Sequence, residues 1–232
     1  VPDPSLLATL RELAALSVSD DDLQETAESV VALACETLDC NYAGLTVFRS
    51  GGAFETLAPT DPVVTRADRL QYELGEGPCV EAAWESDTFL SNDLRIDQRW
   101  PKWGPLAAEL GFGSLLAARL SIGGQTLGAL NLYSTQAREY TAEDRDIAVI
   151  FATHAASTML SVRERENLKE AVEGRTTIGQ AQGILMERFD LDADRAFAVL
   201  RRFSQTQNIK LRAVADLVIA SGDLPPLPSA PA

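Results

Sequence analysis

The sequence predicts an α+β domain built on an antiparallel sheet, then a long connecting helix and an all-α three-helix bundle. Three observations predict this. Two stretches of alternating apolar residues are each followed by a Gly-Gly pair. From Thr141 the apolar spacing turns helical and no proline intervenes until Pro225. The last quarter divides into three short helical pieces.

Taken in order, Leu6, Leu7, Leu10, Leu13 and Leu16 have helical spacing. So do Leu23, Ala27, Val30, Val31, Ala34 and Leu38, which follow the acidic run Asp20-Asp21-Asp22, a suitable helix start. From Tyr42 the period becomes two: Leu45 and Val47 alternate with Gly44, Thr46 and Phe48. Gly51-Gly52 then turns the chain into a strand over 54–58. A second hairpin is expected where Leu116, Ala118, Leu120 and Ile122 alternate with Leu115, Ala117, Arg119 and Ser121, and Gly123-Gly124 leads into a strand over 127–133. Between the hairpins lie the turn-rich Gly75-Glu76-Gly77-Pro78-Cys79, a short strand over 89–91 and a helix over 101–110. Strands joined by tight turns imply an antiparallel sheet with the helices packed on its faces.

The connecting helix has Glu143 as an anion in its first turn. Ile147, Phe151, Ala155, Thr158 and Val162 follow one face, and Leu168 and Val172 resume after Arg163-Glu164-Arg165-Glu166. The stripe is amphipathic but imperfectly heptad, which suits either a packing helix of the first domain or a coiled-coil helix paired in a homodimer. The bundle then reads as a helix over 174–189 with Ile178, Ala181, Leu185 and Phe189 inward. A second helix follows the cap Asp192 with Ala196, Phe197, Leu200 and Phe203 inward, and a third follows Asn208 with Leu211, Val214, Ala215 and Val218. Helices this short need one another's apolar stripes to be stable. The expected division is a sensor domain over 1–161, a three-helix domain over 162–222, and a disordered tail over 223–232 holding Pro225, Pro226, Pro228 and Pro231.

Composition excludes several classes. At 46% apolar and 23% charged residues, the chain is that of an ordinary globular protein, and no apolar run reaches the ~20 residues of a membrane helix. The first residues carry neither a basic nor an apolar export segment, so a cytoplasmic location is expected. The three cysteines, Cys35, Cys40 and Cys79, form no CxxC pair, and with His154 the only histidine no ordinary zinc site is expected. Cys35 and Cys40 read as buried free thiols. The net charge of −14 is unevenly placed: residues 1–161 hold 10 Lys and Arg against 24 Asp and Glu, whereas residues 162–222 hold 10 against 9. Phosphate would be repelled by the first part, so only the second is a nucleic-acid candidate.

The residues of that second part carry a family resemblance. Arg175-Thr176-Thr177-Ile178-Gly179-Gln180-Ala181-Gln182-Gly183-Ile184-Leu185-Met186-Glu187-Arg188, then 193–204, then Asn208-Ile209-Lys210-Leu211-Arg212-Ala213-Val214-Ala215, closely resembles the ANTAR domain, an RNA-binding module of bacterial antiterminators. The resemblance implies binding to paired hairpins in nascent transcripts, prevention of terminator formation, and dimerisation switched by a linked sensor. On helical spacing, Arg175, Gly179, Gln182 and Met186 share a stripe beside the buried one, where an amide and a guanidinium suit unstacked loop bases. Arg188, Arg201, Arg202, Lys210 and Arg212 are the candidates for phosphate contact. The family commonly has Lys where this chain has Gln182. Spacing alone would equally suit charges that merely solvate a dimerising bundle.

Residues 20–162 resemble, less specifically, a GAF domain. That resemblance implies a small-molecule ligand such as a cyclic nucleotide or a chromophore, or dimerisation alone, and the cofactor is unknown. Cys79 is a candidate sensor thiol if neighbouring groups lower its pKa; the alternative is an inert thiol in a structural turn. His154 reads as a packing histidine rather than a haem ligand. An alternative function is a redox sensor or thiol reductase whose bundle serves dimerisation, but Cys35 and Cys40 are not placed beside the Gly-rich turn to act as resolving partners. No catalytic residue is assigned, and no strongly basic helix suggests duplex DNA.

Overall fold

The computed structural model describes residues 4–19, 23–49, 53–82 and 88–224; the acidic run at 20–22, the Gly51-Gly52 turn and the prolines from 225 lie outside the described residues. The chain divides into two units, Val1–Val162 and Arg163–Ala232.

The first unit is organised by a five-stranded antiparallel sheet. Its strands are β1 (Tyr42–Phe48), β2 (Phe54–Leu57), β3 (Thr88–Ser91), β4 (Ser114–Ile122) and β5 (Gln125–Ser134), in spatial order β2-β1-β5-β4-β3. The β4–β5 hairpin closes through Gly123 and Gly124, both at positive φ (56° and 80°), the conformation a two-residue hairpin turn demands. Both faces of the sheet are covered, so alternation sends apolar side chains into two separate cores. Leu45, Val47, Leu116, Ala118, Leu120, Leu130 and Leu132 meet α2 (Leu23–Thr37) and the start of α6 (Ala142–Phe189), with Leu13 of α1 (Pro4–Ser19) joining them. On the opposite face Leu115, Ala117 and Tyr133 meet Val64 and Ala67 of α3 (Pro62–Leu74), Trp103 and Ala107 of α5 (Trp103–Glu109), and Leu94, Trp100 and Phe112.

Two helices on this second face were absent from the sequence reading. One is α3, which Asp61 caps by accepting from the Val63 amide; Pro62 opens it and Gly75 ends it at φ 65°. The other is the short α4 (Pro78–Ala82), which takes in Pro78 and Cys79 at the end of the stretch read as a turn. The turn before it is structural. The Glu76 carboxylate accepts from the Lys102 and Trp103 amides at the start of α5, and Gly77 lies at φ 125° against Gln71. A Cβ at Gly77 would stand 2.5 Å from Gln71 Oε1.

Helix α6 runs unbroken from residue 142 to 189, so the bundle's first helix is its C-terminal part rather than a separate element. It starts at a reciprocal cap in which Thr141 and Asp144 exchange backbone-to-side-chain bonds. In the second unit Ala181 and Leu185 pack with Ala196 and Leu200 of α7 (Ala193–Gln207) and with Val214, Ala215 and Val218 of α8 (Leu211–Ser221). Asp192 caps α7 by accepting from the Arg195 amide. Phe189 and Phe197, expected inward, are instead 45% and 37% exposed. Phe189 is the last residue of α6, and Phe197 sits 100° round its helix from the buried Ala196, which places it on the flank.

Gly77→Ala combines a steric overlap with an unfavourable φ, and is expected to lower the unfolding free energy by about 1–3 kcal/mol. A urea midpoint unchanged from the parent would contradict that packing.

Candidate sensor core and candidate nucleic-acid interface

Between the sheet and α3 lies a cluster of polar groups centred on the fully buried Asp68. Thr46 and Thr56 donate to its Oδ2 at 3.2 and 2.8 Å, while Gln71 Nε2 and Tyr133 OH donate to its Oδ1 at 3.3 and 3.2 Å. The Cys79 sulfur is 3.9 Å from Oδ1, and the Cys79 amide donates to Gln71 Oε1 at 2.8 Å. Asn131 Nδ2 bridges Thr46 Oγ1 (3.2 Å) and Cys79 Sγ (2.9 Å), and its buried Oδ1 has no partner among the described residues. All the groups bonded to Asp68 are neutral donors.

That environment sets the protonation states. Burial pushes Asp68 up to about 6, against the hydrogen bonds from Thr56, Thr46, Tyr133 and Cys79, which pull it down. Burial and the nearby Asp68 carboxylate push the Cys79 thiol well up, so it stays protonated. A buried thiol held in this form is the opposite of an activated one. Sequence reasoning missed the cluster because it missed α3. The signal was there: Asp61-Pro62 and Gly75 bracket the segment, and the polar Asp68 and Gln71 fall on the same stripe as Val64 and Ala67.

The interface candidates of the second unit are all placed on its surface, Gln182 in part. Arg175 and Gln182 lie on α6, Arg201 and Arg202 on α7, Lys210 at the cap of α8 and Arg212 in its first turn. The Gln182 amide donates to the Ala193 carbonyl at 3.1 Å, tying the α6 stripe to the start of α7. Arg212 pairs with Glu173 at 3.2 Å and Arg188 with Asp223 at 2.8 Å, so these two guanidinium groups brace α8 against the ends of the α6 segment. Arg175, Arg201, Arg202 and Lys210 are exposed and form no ion pair among the described residues. His154 is half-buried on α6, where desolvation lowers its pKa. Among the described residues no group of His, Cys, Asp and Glu is arranged to hold a metal, and no helix is long and apolar enough to cross a membrane.

A five-stranded sheet of this order, with helices on both faces and a polar core beneath one of them, defines the first unit as a GAF-type sensor fold. The GAF domain family model matches residues 20–159 and the ANTAR domain model residues 166–219; the chain belongs to the GAF family and has the GAF-ANTAR architecture. Among solved structures, the GAF domain of an Acinetobacter phosphoenolpyruvate-protein phosphotransferase is similar at TM-score 0.57 and 12% identity, covering 70% of this chain and 97% of that one. The cyanobacteriochrome TePixJ GAF domain gives 0.52 and 18% (64% and 94% covered). Free methionine-R-sulfoxide reductase from Neisseria meningitidis, in complex with its substrate, gives 0.52 and 14% (71% and 95% covered). At these identities the likeness is one of fold. No curated protein matches the chain. GAF is a sensor domain and ANTAR an RNA-binding antitermination domain, so the pairing is that of a sensor-linked regulator.

Because the folded Asp68 carboxyl holds its proton to about 6 against an ordinary 3.8, the folded state binds more protons between those values. Its contribution to stability is therefore fullest below pH 3.8 and falls as pH rises to about 6, by about 3 kcal/mol. The difference in unfolding free energy between the parent and Asp68→Asn should trace that loss. A difference independent of pH would contradict the burial of a carboxyl among neutral donors.

Proposed function

We propose that this protein is a cytoplasmic, signal-responsive RNA-binding regulator that binds paired hairpins in nascent mRNA and prevents transcription termination, acting as a homodimer. The observation that carries the reading is the set of exposed, unpaired cations Arg175, Arg201, Arg202 and Lys210 on a three-helix unit of the ANTAR family. Phosphate binding needs cations that are not already committed. Arg188 and Arg212 would have to exchange Asp223 and Glu173 for phosphate, a small cost for exposed pairs. Gln182, held by its Nε2, keeps its Oε1 as an acceptor for a base edge.

Pairing between copies is supported by Leu168 and Val172, 66% and 57% exposed and one turn apart on α6. A small-molecule signal, if one is bound, would be read by the buried polar groups Asp68, Thr46, Gln71 and Asn131. The alternative, a thiol-based enzyme, is disfavoured by Cys79, whose sulfur is buried and protonated.

The test is binding of the full chain to an RNA with two adjacent hairpins, with a single hairpin and duplex DNA as controls, at several salt concentrations. Selective binding to the paired hairpins is expected, with binding lost on changing Arg175 and Gln182. In Arg201→Ala/Arg202→Ala the slope of log affinity against log salt should fall by roughly 0.7–0.9 per lost phosphate contact. Equal weak binding to all three nucleic acids would overturn the reading.

A further inference from the structure

Cys35 and Cys40 are brought together by the way α2 ends. Asp39 takes the left-handed conformation at φ 48°, its amide donates to the Glu36 carbonyl at 3.2 Å, and the Cys40 amide donates to the Cys35 carbonyl at 2.9 Å. This pair of bonds is the Schellman helix stop, and it places the side chains of its first and last residues, here both cysteines, against each other. Covalent lengths on either side of a 2.9 Å contact keep the two Cα atoms within about 6.8 Å, inside the span of a disulfide. The Cys35 thiol donates to the Cys40 carbonyl at 3.1 Å, and the Cys40 thiol donates to the Tyr42 carbonyl at 3.5 Å. Both are only partly buried.

The surroundings distinguish the two sulfurs. The neighbouring Cys40 thiol draws the Cys35 pKa down, against desolvation and the Asp39 carboxylate, while the Cys35 thiol and burial push Cys40 up. Arg138, reaching from the loop after β5, donates to the Leu38 and Asp39 carbonyls at 2.9 and 3.1 Å, stacks on Tyr140 and brings its positive charge to the Cys40 thiol. Arg138 also lies 3.7 Å from Asp144 in the first turn of α6, so the thiol-bearing turn is one side chain away from that helix. Cys79 packs with Thr46 and Asn131 on the opposite face of the sheet and takes no part.

We propose that Cys35 and Cys40 are a redox-active dithiol that a peroxide oxidises to an intramolecular disulfide. The Cys35 thiolate attacks one peroxide oxygen, the O–O bond breaks, and the departing hydroxide takes a proton to leave as water, giving a sulfenic acid at Cys35. Cys40 sulfur then attacks the Cys35 sulfur and the S–O bond breaks; the hydroxide leaves as water with the Cys40 proton. Two thiols lose two electrons and peroxide is reduced to two waters. The proposal is independent of the RNA reading, since its product is scored on the protein alone.

The experiment treats the reduced full chain with excess hydrogen peroxide, quenches, and titrates free thiols in denaturant. The expected count falls from three to one and returns to three with dithiothreitol. The tryptic peptide 12–49, which contains both residues, should be lighter by two hydrogens, and Cys35→Ser should keep both its remaining thiols. Persistence of all three thiols, sulfinic acid in place of the bridge, bonds between chains, loss of Cys79, or equal thiol loss in Cys35→Ser would each overturn the proposal.

Discussion

One helix contributes to two hydrophobic cores, and the organisation of the protein depends on it. Ile147, Ala148, Phe151, Ala152, Ala155 and Ala156 of α6 complete the core on one face of the sheet, and Ala181 and Leu185 of the same helix complete the core of the three-helix bundle. Each end of the helix is held by close packing within its own unit. The intervening stretch carries Arg163, Glu164, Arg165 and Lys169 on an exposed surface, with Leu168 and Val172 left uncovered among the charges.

The sensor core has an unusual electrostatic design. A carboxyl is buried without a cation and held by hydroxyl, amide and phenol donors from three strands and one helix. Such a group is stabilised enough to be tolerated and not enough to be indifferent to its charge state. The turn after α3 serves that cluster, because the Cys79 amide fixes Gln71, and the absence of a side chain at Gly77 lets the backbone approach. Cys79 is therefore part of the scaffold of the site, and the two thiols at the end of α2 are only partly buried.

Much of this was legible in the sequence, and the failures have physical causes. Period-two runs meeting at Gly123-Gly124 gave the second hairpin, since few residues other than glycine accept two successive positive φ values. The bundle helices were legible from Asp192 and from the stripes of Ala181, Leu185, Ala196, Leu200, Val214 and Val218. Helix α3 was not, because its buried stripe contains Asp68 and Gln71, which a hydrophobic period reads as solvent-facing. Phe189 and Phe197 were assigned inward on residue type, yet helix geometry places them at an end and on a flank. Of the candidate interface residues, sequence indicated the exposed cations but not that Arg188 and Arg212 are committed to Asp223 and Glu173, partners distant in the chain.

The central claim, that a sensor is joined to a module acting on transcripts, is tested most directly by transcription in vitro across a template with paired hairpins upstream of a terminator. The account predicts that the purified chain raises the fraction of full-length transcript and that Arg201→Ala/Arg202→Ala does so less. An unchanged termination fraction, under conditions where the same protein is bound to the hairpin RNA, would contradict it.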